Sequence, residues 1–383
     1  MSRAGLLGPN LRLARAFQGL THAELGERLG LTATFVGQLE AGTRRPPPGM
    51  IASLGAALGF GPRFFATPLA DEVRDEECHL RGRAAIPLAV KTRVLAHGTL
   101  FAGLLAQLES AVRRPGEVLP EHVEATDVEV IEAAAGACRR LWALEPTLPI
   151  PNLTRVIERA GVVVTRLPAS TAEVGAFSRV GRRLLVVLDD EPSASRARLD
   201  LAHEAGHLVM HRGVDAGDAG LEEQAERFAR ALLLPRAGFL AELPGGPTWD
   251  WEALLRLKQR WKVSLAALLR RARELEALDQ AGYERALRYL EAQGWDRREP
   301  AEIAEEASEV VALALEQLET GRGVTRAEVA RELGWSARVF ERVAGVAPGE
   351  VRGGGEGKVV SLAAFRTARP GSAQMELDFG EPR

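Results

Sequence analysis

Cysteine is almost absent from this chain. Cys78 and Cys138 are the only two in 383 residues. They stand far apart and form no CxxC pair, which excludes a disulfide framework and fits a reducing cytoplasm. Tyrosine is scarce too, with 2 residues against 12 phenylalanines. Alanine, leucine, arginine and glutamate dominate instead, as in helix-rich proteins. No uninterrupted apolar run approaches the roughly 20 residues needed to cross a bilayer, so no membrane contact is expected. The opening MSRAGLLGPNLRLAR has no long apolar core followed by a small-residue cleavage site, and it does not read as a secretory signal. Neither sign of charge is in excess, the net being −3. Any contact with nucleic acid therefore has to come from a local basic face.

What is present is ordinary globular composition, 46% hydrophobic and 26% charged. At roughly 100–200 residues per domain the length predicts two to three domains. Residues 9–67 read as a set of short helices. Thr21 with Glu24 forms a capping-box pattern, Gly30 breaks that helix, Thr32 caps the next, and Pro46-Pro47-Pro48 forbid continuation beyond it. Residues 68–148 read as a helical connector. From 149 to 277 the pattern changes: a strand at Val162–Val164, a hairpin of Glu173–Val180 and Leu184–Leu188, then helices. Residues 278–348 read as a third, helical domain and 349–383 as a disordered tail. The expected fold is mainly α with a small antiparallel β-sheet (α+β), and no internal repeat of fixed period is apparent.

The most informative stretch is His203-Glu204-Ala205-Gly206-His207, which has HExxH spacing on a predicted helix, Ser193–Arg212. Residues four apart share one helical face, so two imidazoles can bind one Zn²⁺ while Glu204 acts on a metal-bound water. Leu201, Ala205 and Leu208 define another face. A catalytic zinc needs a third protein ligand and an open position. Glu222, opening Glu222-Glu223-Gln224-Ala225-Glu226 on the next helix, is the candidate, with Asp200 and Glu223 as substitutes. Glu226, one turn on, could orient a zinc-bound histidine through its outer ring nitrogen. His211 continues the series and reads as a helix-end histidine favoured by the dipole. The strand Glu173–Val180, if its edge is free, could pair with an extended substrate.

Together, HEAGHLVMH at 203–211 and EEQAERFARALLLP at 222–235 resemble the ImmA/IrrE family of zinc peptidases, over about residues 150–275. The resemblance implies zinc ligation by His203, His207 and Glu222, with Glu204 as acid and base. Glu226 stands where that family usually has Asn or Asp. Residues 10–67 resemble the Xre-type helix-turn-helix, through LTHAELGERLGLT at 20–32 and FVGQLEAGTRRP at 35–46. The second helix of such a pair enters the major groove of double-stranded DNA. Thr32, Ala33, Thr34, Gly37 and Gln38 would then face the duplex, with Gln38 the best base reader. His22 stands where the family has a phosphate-binding Gln, and Arg44 and Arg45 are placed for phosphates. Residues 1–50 hold six arginines against three glutamates, opposite in sign to the whole chain.

The expected function is a DNA-associated zinc metallopeptidase that cleaves a regulatory protein, an HTH repressor, in a stress or mobile-element response. The alternative is an Xre-type transcription regulator whose peptidase-like domain senses a ligand or metal. Either would act in the bacterial cytoplasm, at the nucleoid when bound to DNA. A homodimer is compatible with this class, though no heptad run selects it. Thr325–Val343 repeats the rhythm of a helix-turn-helix without a basic face and reads as a structural pair. In the tail, Gln374, Leu377 and Phe379 resemble the QxxLxF peptide that docks on bacterial sliding clamps.

Overall fold

The computed structural model describes residues 6–82, 86–109, 111–113, 116–121, 124, 127–167, 174–179, 183–189, 193–212, 219–245, 249–346 and 375–376. Caps and breakers set the first helices: α1 (Gly8–Phe17), α2 (His22–Leu29), α3 (Ala33–Glu40), α4 (Met50–Leu58) and α5 (Pro62–Ala66). The Thr21–Glu24 capping box forms, Gly30 takes the left-handed conformation at φ 67°, and the Thr32 hydroxyl caps α3.

The predicted helical connector is not wholly helical. It holds strand β1 (Cys78–Gly82), helix α6 (Leu88–Leu108), strand β2 (Val112–Arg113) and helix α7 (Val128–Leu141). Helix α6 is long and apolar enough on average to cross a membrane, but Lys91 and Arg93 interrupt it, so it holds no uninterrupted apolar run. Its buried face, including Val94, Phe101, Leu104 and Leu105, instead lies inside a hydrophobic core shared with α1.

Helix α8 (Leu153–Arg159) then leads into β3 (Val163–Leu167), β4 (Val174–Arg179) and β5 (Leu185–Asp189). The sheet order is β1-β4-β5-β3. The predicted hairpin is β4–β5, antiparallel with Phe177 opposite Val187. The sheet is mixed rather than wholly antiparallel, because β3 pairs parallel to β5. The reason is burial: β5 reads LVVLD with every residue buried, as befits a central strand with both faces covered. Alternate side chains divide between two cores. Val163, Phe177, Leu185 and Val187 face the first, and Val164, Ala176, Val186 and Leu188 the second. The sheet is thus a wall between them.

The second core is built by α7 and α8, by α9 (Ala194–Met210) and α10 (Ala219–Leu233), and by α11 (Arg236–Glu242), α12 (Trp251–Trp261), α13 (Leu265–Glu274) and α14 (Gln280–Ala292). The expected separate domain at 278–348 does not form. Helix α14 joins the second core, whereas α15 (Val310–Arg322), α16 (Arg326–Leu333) and α17 (Ala337–Ala344) complete the first. Between them an acidic strap crosses the second core. Glu299 and Glu302 meet buried Lys258 at 2.7 and 2.9 Å. Glu306 accepts the backbone N–H groups of Leu153 and Thr154 at 2.8 and 3.0 Å. The last element, β6 (Met375–Glu376), pairs in parallel with β2.

Candidate metal centre

His203 and His207 project from one face of α9, and α10 crosses close to them. Gly206 permits that approach. A Cβ there would lie 3.0 Å from the Phe228 ring and 3.3 Å from the Ala225 Cα of α10, so a larger residue would push the helices apart. The close crossing carries Glu222, in the first turn of α10, to both imidazoles. His203 Nε2 and His207 Nε2 are 3.0 Å apart. Glu222 Oε2 lies 3.3 Å from the first, and its Oε1 3.2 Å from the second.

These three separations test whether zinc fits. Tetrahedral donors about 2.0–2.1 Å from Zn²⁺ lie roughly 3.3 Å from one another. The triangle has nearly those edges, and its donor chemistry, two imidazoles and a carboxylate, is that of a catalytic zinc site. Burial alone would raise the Glu222 carboxyl. Hydrogen bonds and charge from His203 and His207 outweigh it and hold the carboxyl well below the usual range. Both imidazoles are buried, while Glu222 is 38% exposed, so the centre opens to solvent along its carboxylate edge. Glu204, on the same helix, is fully buried.

A second layer of imidazoles surrounds the triangle. His207 Nδ1 lies 2.9 Å from His211 Nδ1, and His211 Nε2 lies 2.9 Å from Gln224 Oε1. One proton assignment satisfies the series. With His207 Nε2 kept as a lone-pair donor, its Nδ1–H donates to His211 Nδ1, and His211 Nε2–H donates to Gln224. Burial lowers the His211 pKa to about 4. His211 is therefore a neutral relay rather than the dipole-favoured cation expected. His79, from β1, stacks on His207 with centroids 4.6 Å apart and planes 9° apart. It also bonds the His211 backbone, and burial lowers its pKa to about 4. Beside it, burial pushes the Cys78 thiol up to about 12, leaving it unreactive.

Two expectations change. Glu226, expected to orient a zinc-bound histidine, pairs with Arg230 at 3.2 Å, and Gln224 meets the outer, non-ligand imidazole of His211. The cause is pitch: one further turn carries Glu226 about 5.4 Å along α10, towards the Arg230–Glu274 pair. The edge of β4 is also not free for a substrate, because β1 already pairs with it from Cys78↔Arg179 to Gly82↔Val174. Sequence reasoning missed β1, His79 and Gln224. Gln224 lay inside a motif already singled out, but nothing local marked CHLRG as a strand.

The expected DNA-contact residues gather around α3. Ala33 and Thr34 are exposed on its first turn, and the space beside Gly37 is open. Gln38 accepts a long hydrogen bond from Arg44 at 3.5 Å, and the Arg44 guanidinium lies 4.7 Å from the Phe35 ring centre. Arg45 is exposed. Thr32 uses its hydroxyl oxygen as the α3 cap. His22 bonds Glu40 at 2.9 Å, and Glu40 also takes two bonds from Arg15. Gln374, Leu377 and Phe379 lie outside the described residues.

Comparison with known families places both regions. Residues 157–273 match the IrrE N-terminal-like domain of the M78 peptidases, and residues 6–63 match a helix-turn-helix domain. No curated protein matches the chain. His79 and β1 fall between the two matched segments.

Proposed function

Because the chain joins a helix-turn-helix domain to an ImmA/IrrE-type peptidase domain, we propose that it is a DNA-bound zinc peptidase that cleaves a regulatory protein. The proposed substrate class is an HTH repressor whose loss releases a stress response. The observation that carries the reading is the His203–His207–Glu222 triangle, with zinc-like edges and Glu204 on the same helix.

When bound, zinc would acidify a water and polarise the scissile carbonyl. The chain's own residues do the rest. His203, His207 and Glu222 hold the ion and leave one position open. Glu204 accepts the proton of the attacking water and passes it to the leaving amine. The His211–Gln224 pair fixes the His207 tautomer, and His79 holds that ring in plane. An extended substrate would pair with the outer edge of β1, since β4 is covered. On the DNA side, Thr34 and Gln38 read base edges, while His22, Arg44 and Arg45 contact phosphates.

One observation favours a second reading, a regulator that senses occupancy of the centre. The strand that stacks His79 on His207 belongs to the segment leading directly from the helix-turn-helix. Purified wild type and Glu204→Gln separate the readings, with bound zinc measured and HTH repressors of the same cell followed by intact mass. Zinc in both and cleavage by wild type alone is the expected result. Zinc in both with cleavage by neither would select the sensor. No zinc in either would overturn the metal assignment.

A further inference from the structure

A polar cleft of about 760 Å³ begins one helical turn from the metal centre. Asp200, in its wall, precedes His203 by three residues on α9, and Glu226 follows Glu222 by four on α10. Each therefore lies about 5.4 Å along its helix from a candidate zinc ligand. Arg196 and Arg230 line the cleft one turn farther on the same two helices. The rest of the lining comes from α13, α14 and the residues between α14 and the acidic strap, and Leu199, Leu290 and Trp295 add apolar area. A peptide leaving the metal in this direction enters the cleft. At about 3.3 Å per residue, a stretch roughly 5–11 Å from the metal holds about the second and third residues from the scissile bond.

Five arginines and five carboxylates line the cleft, but the two sets are not engaged alike. Three carboxylates are held at close range. Glu299 and Glu302 share buried Lys258 at 2.7 and 2.9 Å, and each accepts a backbone N–H, from Leu265 and Ser195. Glu226 meets Arg230 at 3.2 Å. Asp200 is buried, its side chain 4% exposed. The other four arginines are held loosely. Arg196, Arg270 and Arg297 stand 4.0, 3.7 and 3.9 Å from the carboxylates of Asp200, Glu274 and Asp296. Those separations exceed the roughly 2.7–2.9 Å of a charge-assisted hydrogen bond. Arg298 has no ion pair among the described residues and is exposed. Asp296, 44% exposed, offsets one of the four. The charge that the cleft turns to solvent is therefore cationic, carried on guanidinium forks that match a carboxylate.

We propose that this cleft is a specificity site of the peptidase, taking acidic side chains about two to three residues from the scissile bond. The substrate is then cut within an acidic, extended segment, an inference that rests on the peptidase reading above. A carboxylate in the cleft gains parallel N–H donors, whereas a lysine in its place meets like charge.

Two fluorescein-labelled ten-residue peptides, alternating Ala with Glu or Ala with Gln, test this by anisotropy against zinc-loaded Glu204→Gln. The Glu peptide should bind at least about tenfold more tightly at low salt. Arg297→Glu with Arg298→Glu should remove that preference; both residues are exposed, so the melting temperature should hold. Arg256→Glu with Arg288→Glu makes the same change of charge at exposed positions outside the cleft and should leave the preference in place. The Glu204→Gln protein loaded with Co²⁺ supplies a second readout. The Glu peptide should shift the visible absorption of the cobalt at concentrations where the Gln peptide does not. Equal binding of the two peptides, or a preference that survives reversal of Arg297 and Arg298, would overturn the cleft assignment. So would a preference lost equally in the Arg256 and Arg288 variant, or an unshifted cobalt spectrum. Failure to load either metal would instead overturn the peptidase reading beneath it.

Discussion

The pair α2–α3 and the pair α16–α17 are written in the same local grammar and used differently. Aligning Gly19 with Gly323 without a gap sets Thr21 on Thr325, Glu24 on Glu328, Leu29 on Leu333, Gly30 on Gly334 and Ala33 on Ala337. Both pairs form a capping box, both end the first helix on a left-handed glycine, and both cap the second with a hydroxyl, Thr32 or Ser336. The sequence, read for fixed periods, showed no repeat; a single pair of copies at the two ends of the chain has no period to find. The copies differ in what they bury. Helix α3 turns Ala33, Thr34 and Gly37 outward. Helix α17 buries Val339, Phe340, Val343 and Ala344, and Arg342 lies over the Phe17 ring at 4.3 Å. The turn between α16 and α17 is tied to the turn between α4 and α5 through the Gly61 N–H to the Gly334 carbonyl at 2.6 Å and the Ser336 N–H to the Gly59 carbonyl at 2.9 Å. Capping chemistry sets the shape of a helix-turn-helix, and the outward residues set its use. The first copy leaves its second helix turned outward, and the second is packed into the first core as a brace for the α4–α5 turn and α6.

The largest effect should come from breaking the brace. Phe340 is fully buried in the first core. Phe340→Ala should cost about 3–5 kcal/mol in a urea titration, the range for a cavity left by a phenyl ring. A loss under about 1 kcal/mol would mean that the second copy is only loosely attached, and the comparison would fail.

Legibility in the sequence followed the range of the interactions. The HExxH helix, the β4–β5 hairpin and the α10 motif with Glu222 were all readable, because each depends on spacing within one element or between neighbours. His79 was not, because its position depends on β1 pairing with β4 across almost 100 residues of intervening chain. Gln224 faces His211 through the rotation of α10 against α9, which no periodicity encodes. The mixed sheet and the merging of α15–α17 with the first core share this cause. Burial on both sides of β5, and a core closed by the two ends of the chain, are properties of the assembled fold.

Intermediate effects should be equal where the grammar is shared and unequal where it is not. Thr21→Ala and Thr325→Ala should each cost about 1 kcal/mol, the usual worth of an N-cap. Thermal melts showing a threefold difference would break the equivalence. Glu40 has no acidic counterpart, since Ala344 occupies the matching position. Burial would raise the Glu40 carboxyl, but bonds from Arg15 and His22 lower it below its ordinary 4.5. A depressed folded-state pKa gives stability that is present above the unfolded value and lost as pH falls through the folded one. Wild type should therefore lose stability below about pH 4.5. Glu40→Gln should be less stable at pH 7 and lose less on acidification. Parallel pH profiles for the two proteins would remove Glu40 from this role.

The smallest change in stability should accompany the sharpest change in DNA binding. Arg44 and Arg45 are exposed beyond α3, so replacing either by Ala should alter stability by no more than about 0.5 kcal/mol. Removing one phosphate-neutralising arginine should reduce the slope of log K against log salt by about 0.9. Arg342, at the position matching Gln38, is the control from the second copy. It bonds Gln18 at 3.0 Å and covers Phe17. Arg342→Ala should lower stability and leave the salt slope unchanged. A reduced slope for Arg342→Ala, with none for Arg44→Ala, would reverse the assignment and make the C-terminal copy the one that meets DNA.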